Sequence, residues 1–435
     1  MVVDTIGIAM LGAGNVGGGV VAAIRNSPER YARLVGRELE LRAVLVRDAN
    51  RDRAGLDPSV LTTDFETLIT GDSQIVIELL GGEDPAHEYI RRSLEAGKHV
   101  VTANKEVMAK HGAELLRVAA AHGVRLFYEA AVGGGIPIIS PLSRDLLANE
   151  ITAVTAIING TTNFMLTAMA NDGVDYDEVL AEAQRLGYAE PDPTADVDGI
   201  DAAYKLAILC GLAFGLAVSP EAIDREGISG LTANDFAYAD ELGYTIKLLA
   251  TGRLENGDLI ASVRPTLIAL SEPLAKVAGV LNAVQIEGNL VGRVLFEGPG
   301  AGPAPTASAV LADVLELARN YVFSDRAPAP LTALSVANVL PAESHRSRYY
   351  FRLTAPDQPG VLAQIAGALG EQEVSIASMI QLEANESAGT AELLLTTHVA
   401  EVGALRAALA QVEQAGVVQL VGNILPIAGG AGGAG

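Results

Sequence analysis

The chain has 435 residues and a formal net charge of −23, with 49% hydrophobic and 19% charged residues; this excludes a disordered, solvating composition and leaves ample material for packed cores. Domains usually span roughly 100 to 200 residues, so two to four are expected, with three the working number. The acidity argues against binding a nucleic-acid backbone or an anionic membrane surface, both of which require basic faces.

The first apolar run, Ile6–Leu11, reads as a strand, and no basic region or cleavage site precedes it. A signal peptide is therefore not expected, and the cytoplasm is the expected location. The helical pattern Val16–Arg25 and the strand Leu39–Val46 follow, with further candidate strands at Ile75–Leu80, His99–Thr102 and Arg125–Tyr128. That alternation predicts an α/β fold with a doubly wound parallel sheet.

Gly12-Ala13-Gly14-Asn15-Val16-Gly17 joins the first strand to the first helix. In this frame the first glycine permits the tight turn, the second lets the backbone approach a pyrophosphate, and the third allows close helix–strand packing. The helix N-terminus then presents amides to the phosphates. The pattern predicts a nicotinamide-dependent oxidoreductase. The second strand ends at Arg47-Asp48. Arg47 suits a ribose 2′-phosphate and leans towards NADP, whereas Asp48 keeps NAD open.

In Val101-Thr102-Ala103-Asn104-Lys105 a lysine stands just past a strand's C-terminal end, the edge where open α/β sheets bind ligands. The Gly- and Pro-rich stretch Ala131–Pro141 then breaks the rhythm and marks a boundary. From about Ile151 to Gly298 strands mix with longer helices, which predicts an α+β substrate region. Asn159-Gly160-Thr161-Thr162-Asn163-Phe164 follows the strand Ala153–Ile158 and offers hydroxyls and amides to a small polar ligand, or a helix cap.

Residues 190–205 concentrate the carboxylates Glu190, Asp192, Asp196, Asp198 and Asp201 with Lys205. Asp201 and Lys205 at i and i+4 share a helix face, so the carboxylate can orient the ammonium. A desolvated lysine holds its proton less tightly and can exchange it with a hydroxyl or carbonyl oxygen. The apolar run Leu206–Val218 is too short to span a bilayer and is expected to be a buried helix. It holds Cys210, the only cysteine, so no internal disulfide forms and a reducing compartment fits. The six histidines show neither HxH nor HExxH spacing, which predicts no zinc site.

A second break at Gly298–Pro305 precedes a helix, Thr306 to about Tyr321, expected to pack back on the first domain. A third, Arg326–Pro330, precedes a βαββαβ order: Arg348–Thr354, Val361–Gln372, Ser375–Ala384, Thr390–Val399, Val402–Gln414 and Val417–Leu425. The Gly/Ala end reads as a flexible tail.

Taken together, the N-terminal fingerprint, the "TANK" lysine, "EAAVGGGIP", "NGTTNF" and the Glu190–Lys205 run resemble homoserine dehydrogenases over nearly the whole chain. The resemblance implies reversible hydride transfer between L-homoserine and L-aspartate 4-semialdehyde with NAD(P), on the route to threonine, methionine and isoleucine. It implies Lys205 as proton donor and acceptor, assisted by Lys105 near the nicotinamide. Glu190 would hold the substrate ammonium, with Asp196, Asp201, Gly160 and Thr161 completing the polar site and Gly302 touching the cofactor. It further implies a sodium ion held by Glu129 and the carbonyls of Val132, Gly134 and Ile136; three consecutive glycines, Gly133 to Gly135, also suffice to make that turn.

The C-terminal unit resembles an ACT domain, with Asp357-Gln358-Pro359-Gly360-Val361-Leu362 matching that family's first turn. The resemblance implies threonine feedback; a dimerisation module without ligand is the alternative. The expected domains are 1–132, completed by 303–325, for NAD(P); 133–302 for substrate and dimerisation; 346–427 for ACT; and a tail, 428–435. A homo-oligomer, dimer or tetramer, follows from the resemblance. Two rivals stand beside this reading. One is a semialdehyde oxidoreductase working through a Cys210 thiohemiacetal; the other is a non-catalytic amino-acid sensor on a Rossmann scaffold.

Overall fold

The computed structural model describes residues 5–51, 53, 55–323, 335–381 and 389–428. The expected break Arg326–Pro330, residues 324–325, the end of the strand beyond Gln381 and the tail after Ala428 lie outside the described residues. Contacts divide the chain into two compact units. One comprises Met1–Val154, Tyr204–Ala222 and Asn282–Ala337; the other comprises Thr155–Ala203, Ile223–Leu281 and Asn338–Gly435.

The first unit is built on six strands: β1 (Thr5–Leu11), β2 (Glu38–Leu45), β3 (Leu61–Thr62), β4 (Ile75–Glu78), β5 (His99–Thr102) and β6 (Leu126–Phe127). Their spatial order is β3-β2-β1-β4-β5-β6, and β1 pairs in parallel with both β2 and β4. This is the doubly wound order, whose crevice opens where the winding reverses, between β1 and β4. All of β1 beyond Thr5 is buried, because helices cover both faces of such a sheet; the strand is accordingly apolar throughout.

Five helices accompany it: α1 (Asn15–Asn26), α2 (Pro28–Val35), α3 (Phe65–Thr70), α4 (Ala86–Glu95) and α5 (Lys105–Ala121). A later helix, α11 (Pro303–Phe323), lays Ala307, Val310, Val314 and Leu317 into the core formed by Ile6, Ile8, Met10 and Ile77. Each of the larger of these buried aliphatic side chains, from valine upward, contributes about 1.5–3 kcal/mol. The helix begins three residues earlier than the Gly- and Pro-rich sequence suggests. Pro303 and Pro305 fall in its first turn, where no backbone donor is needed.

The expectation of one buried helix over Leu206–Val218 needs correction. Helix α9 (Ile200–Phe214) stops because Gly215 takes a left-handed φ of +68°. Leu216–Ala217 then forms a short strand paired with Ser335–Val336.

In the second unit, helices α6 (Gly160–Asp172), α7 (Tyr176–Arg185), α8 (Thr194–Val197) and α10 (Ala233–Glu241) accompany a hairpin of two twelve-residue strands, Tyr244–Glu255 and Asp258–Ala269. The hairpin is in register throughout, from Tyr244 opposite Ala269 to Glu255 opposite Asp258. The C-terminal part forms the expected βαββαβ order. Its strand Arg346–Pro356 lies between Leu420–Ile427 and Thr390–Thr397, with Ile376–Gln381 at the edge, all antiparallel. Helices α12 (Val361–Glu371) and α13 (Val402–Gln414) cover one face, closing Tyr349, Phe351 and Leu353 against Ile365, Leu405 and Leu409.

Candidate active site

A cleft of about 830 Å³ opens at the β1/β4 crevice, within the usual range of small-molecule sites. Gly12, Ala13, Gly14, Asn15 and Arg47 line it, as do Asp48, Arg51, Arg53 and Gly81. Val16, Gly17, Lys105 and Gly302 do not belong to this lining. Gly12 has φ +95°, and a side chain there would bring its Cβ within 2.9 Å of the Leu79 carbonyl. A Cβ on Gly17 would lie 2.7 Å from the Gly12 carbonyl, so this glycine serves the close turn–helix contact. Gly14 has open space where its Cβ would be, and α1 has neither a side-chain cap nor an acid in its first turn. The amides at that helix end thus remain available to an anion, which fits a dinucleotide.

Sequence reasoning missed Arg51 and Arg53, although "RDANRDR" carried the signal. Arg53 donates to the carbonyls of Asp48 (2.8 Å) and Arg51 (2.9 Å), while the Asp48 carboxylate accepts the Asn50 amide at 2.9 Å. One Asp48 oxygen is thereby engaged in its own turn.

Lys105 opens α5 at the C-terminal edge of the sheet. Its position is set by Glu78, a buried carboxylate that the sequence reading passed over. Thr102 donates its hydroxyl to Glu78 at 2.5 Å and accepts the Asn104 amide at 2.9 Å. Asn104 in turn caps α5 through Val107 (3.1 Å) and donates to the Gly82 carbonyl at 2.7 Å. Burial pushes the Glu78 carboxyl above its ordinary range.

In the second unit Asn159 is a hub. Its Nδ2 donates to Asp196 Oδ1 at 2.7 Å and to Asp201 Oδ2 at 3.0 Å, and its Oδ1 accepts the Thr162 amide at 2.9 Å, capping α6. Asn159 and Asp201 are both buried. The acidic run therefore separates by role. Asp196 and Asp201 converge on one amide group, Asp192 accepts the amide and hydroxyl of Thr194 at the start of α8, and Glu190 and Asp198 are exposed. The Thr161 hydroxyl donates to the Tyr188 carbonyl at 2.7 Å and holds the segment before Glu190; Gly160 is the first residue of α6.

Helix α9 carries Asp201 and, one turn on, Lys205, which is only 8% exposed. Cys210 on the same helix is wholly buried, and burial pushes its thiol up to about 12. A wholly buried, protonated thiol is a poor nucleophile at neutral pH, so the thiohemiacetal rival is not favoured.

Glu129 is buried, and its carboxylate accepts the amides of Ile138 (2.6 Å), Ile139 (2.9 Å) and Ser140 (2.7 Å). Three of its roughly four lone-pair directions are taken, leaving one for a further partner. Beside it, Gly134 has φ +54°, and a Cβ there would overlap the Gly300 carbonyl. Ile136 donates to the Gly133 carbonyl at 2.9 Å, and Val132 and Ile136 are buried. Gly302, with φ +116°, accepts the Thr306 amide at the start of α11.

Comparison with known proteins identifies the family. The family model for the homoserine dehydrogenase NAD binding domain matches residues 12–129, that for homoserine dehydrogenase matches 137–315, and that for the ACT domain matches 349–416. Homoserine dehydrogenase of Synechocystis sp. is 43% identical over 434 residues, covering 97% of this chain and 99% of its own. The chain belongs to the homoserine dehydrogenase family. The homoserine dehydrogenase of Mycobacterium tuberculosis is 42% identical over 433 residues, covering 98% of each chain. Among solved structures, a homoserine dehydrogenase from Thiobacillus denitrificans superposes with a TM-score of 0.91 at 41% identity, covering 97% of this chain and 98% of that one. A hyperthermophilic archaeal homoserine dehydrogenase in complex with NADPH matches at a TM-score of 0.60 and 28% identity, over 72% of this chain and 97% of its own. This homoserine dehydrogenase is thus an oxidoreductase with a nicotinamide cofactor, a small-molecule substrate and an ACT regulatory domain, and the non-catalytic sensor reading is not favoured. Among the described residues no helix is long and apolar enough to cross a membrane.

Proposed function

We propose that this homoserine dehydrogenase interconverts L-homoserine and L-aspartate 4-semialdehyde, with Lys205 as proton donor and acceptor and NADP as the preferred cofactor. The observation that carries the reading is α9: a nearly buried Lys205 stands one turn after Asp201, whose carboxylate Asn159 anchors. A lysine on a rigid helix with an oriented carboxylate neighbour delivers its proton to one place. When bound, the nicotinamide supplies hydride in one direction and accepts it in the other. Lys205 Nζ gives a proton to the aldehyde oxygen as the carbonyl becomes a hydroxyl, and takes it back in the reverse reaction. Asp201 orients that ammonium, and Lys105 assists near the same oxygen. Glu190, Asp196, Gly160 and Thr161 bind the amino-acid end of the substrate, Glu190 through its ammonium.

Gly12 to Gly17, Arg47, Lys105 and Gly302 serve the cofactor. Arg47, Arg51 and Arg53 all line the cleft together with Asp48; a guanidinium cluster of this kind favours a 2′-phosphate over a bare ribose. A sodium ion at Glu129, completed by the carbonyls of Val132, Gly134 and Ile136, would use the carboxylate's remaining lone pair. Its role there is structural. Oxygen donors in a turn suit such a hard ion.

The domains are 1–132 with 303–325, 133–302 and 346–427, followed by a tail. The protein works in the cytoplasm as a dimer or tetramer, and threonine is the ACT effector. The test is Lys205→Ala: turnover should fall by about 10²- to 10⁴-fold while the NADPH dissociation constant stays unchanged. Undiminished turnover removes Lys205 from the mechanism. Initial rates with NADPH and NADH, with and without threonine, test the cofactor and effector assignments.

A further inference from the structure

We propose that His87, His111 and Glu114 form a binding site for a divalent transition-metal ion of the zinc class on the α4–α5 surface of the first unit. Spacing along the sequence predicts no such site, because the two histidines lie 24 positions apart (111 − 87). They meet because α4 packs against α5. His87 is the second residue of α4, while His111 and Glu114 stand at i and i+3 on α5 and share one face.

The three ligand atoms all lie within 4.8 Å of one another. His87 Nε2 is 3.5 Å from Glu114 Oε2, close to the edge of about 3.4 Å that a tetrahedron with ~2.1 Å bonds requires. The two imidazoles stack with centroids 4.0 Å apart and planes inclined by 18°; because a ring nitrogen's lone pair lies in the ring plane, joint ligation requires one ring to turn about its Cβ–Cγ bond. Among the described residues, the buried His87 Nε2 has no hydrogen-bond partner. A metal ion would supply the partner that this nitrogen lacks.

A supporting carboxylate is also in place. Glu83 Oε1 lies 2.8 Å from His111 Nε2; with that nitrogen held by a carboxylate, Nδ1 is the one that would ligate the ion. Lys110, which precedes His111 in the chain, is paired with Glu83 (2.8 Å) and Glu106 (2.7 Å), so two carboxylates offset its charge. Two imidazoles and one carboxylate favour Zn²⁺, Ni²⁺ or Cu²⁺ over Mg²⁺ or Na⁺. This site is accordingly distinct in chemistry from the sodium site proposed at Glu129. An ion here would clamp the start of α4 to the helix that begins with Lys105.

The test uses tag-free, chelator-stripped full-length protein, titrated calorimetrically with ZnCl₂ and followed by visible absorption with CoCl₂. The expected result is one saturable Zn²⁺ per chain, a Co²⁺ ligand-field spectrum, and a raised melting temperature in zinc. His87→Ala and His111→Ala should each weaken zinc at least tenfold and remove the cobalt spectrum, with Glu114→Gln weakening it less; excess Mg²⁺ should not compete. Both imidazoles are about one-quarter exposed (23% and 26%), so their loss leaves the core intact; should either variant fail to fold, Glu114→Gln still reports. No saturable binding by the intact chain, or equal affinity in the variants, overturns the proposal. Because the readout is bound metal, the outcome is independent of the roles assigned to Lys105 and Lys205.

Discussion

The cofactor cleft and the Asn159 hub make ligand sites in opposite ways. The cleft's phosphate-facing turn is made of backbone, a glycine at φ +95° and an uncapped helix end, with Arg47, Arg51 and Arg53 on the wall beyond it. The hub is made of side chains drawn from α6, α8 and α9, with Asn159 bonded to residues 37 and 42 positions away. A backbone site tolerates any side chain that does not fill it. A side-chain hub depends on one amide group with two hydrogens for two carboxylates. Substitutions should therefore fail through space and strain in the first region and through charge in the second.

Asn159→Asp should show the largest effect. The substitution preserves shape and the cap on Thr162, but turns a donor to two carboxylates into a third carboxylate. Hydrogen bonds to charged groups contribute about 1.5–3 kcal/mol each, so kcat should drop about a hundredfold at pH 8. Like charges raise a carboxyl pKa, and the protonated acid can donate again, so the deficit relative to the parent should narrow as pH falls. Asn159→Ser keeps a good cap and should lose about tenfold without that pH dependence. Parental kcat in both variants would reduce the hub to helix capping.

Next comes Gly12→Ala. Its φ of +95° and the 2.9 Å approach to the Leu79 carbonyl store about 1–3 kcal/mol of strain in any other residue. The KM for NADPH should rise by one or two orders of magnitude with kcat at saturation little changed. A fall in kcat alone would contradict the division between a backbone site and a charge site.

These two variants also mark what the sequence could disclose. The glycine fingerprint is contiguous, so its chemistry is local and readable, as is the βαββαβ order whose apolar faces alternate. Asn159 was readable only as part of a motif, because its partners are fixed by tertiary packing. Glu78 was hidden inside an apolar strand, and its use by Thr102 and Asn104 depends on the pairing of β4 with β5. The long hairpin was obscured by polar residues that the fold buries. Lys247 donates to the Val277 carbonyl at 2.7 Å and to Asn163 at 3.2 Å, and Arg264 pairs with Asp224. Such residues interrupt a hydrophobic pattern unless their partners are already known. His87 and His111 escaped for the same reason.

A smaller effect is expected at Arg47, an exposed guanidinium on the cleft wall. Arg47→Ala should raise the KM for NADPH about tenfold, equivalent to ~1.4 kcal/mol, and leave that for NADH unchanged. The neighbouring Arg51 and Arg53 limit the loss, so the triple variant should go further. Equal losses with both cofactors would assign the cluster to the shared pyrophosphate and weaken the lean towards NADP.

The smallest effect on activity belongs to Cys210→Ser. The thiol sits on α9 five positions after Lys205 and is wholly buried, so it tests whether the helix matters through chemistry or through packing. A buried hydroxyl without a good partner costs about 1–3 kcal/mol, so the melting temperature should fall while kcat and KM stay at parental values below the unfolding transition. A thiol raised to about 12 by burial is neutral across the working pH range, and removing it changes no charge near Lys205. Loss of turnover without loss of stability would restore a covalent thiol route; loss of stability alone leaves α9 as the rigid carrier of one working lysine.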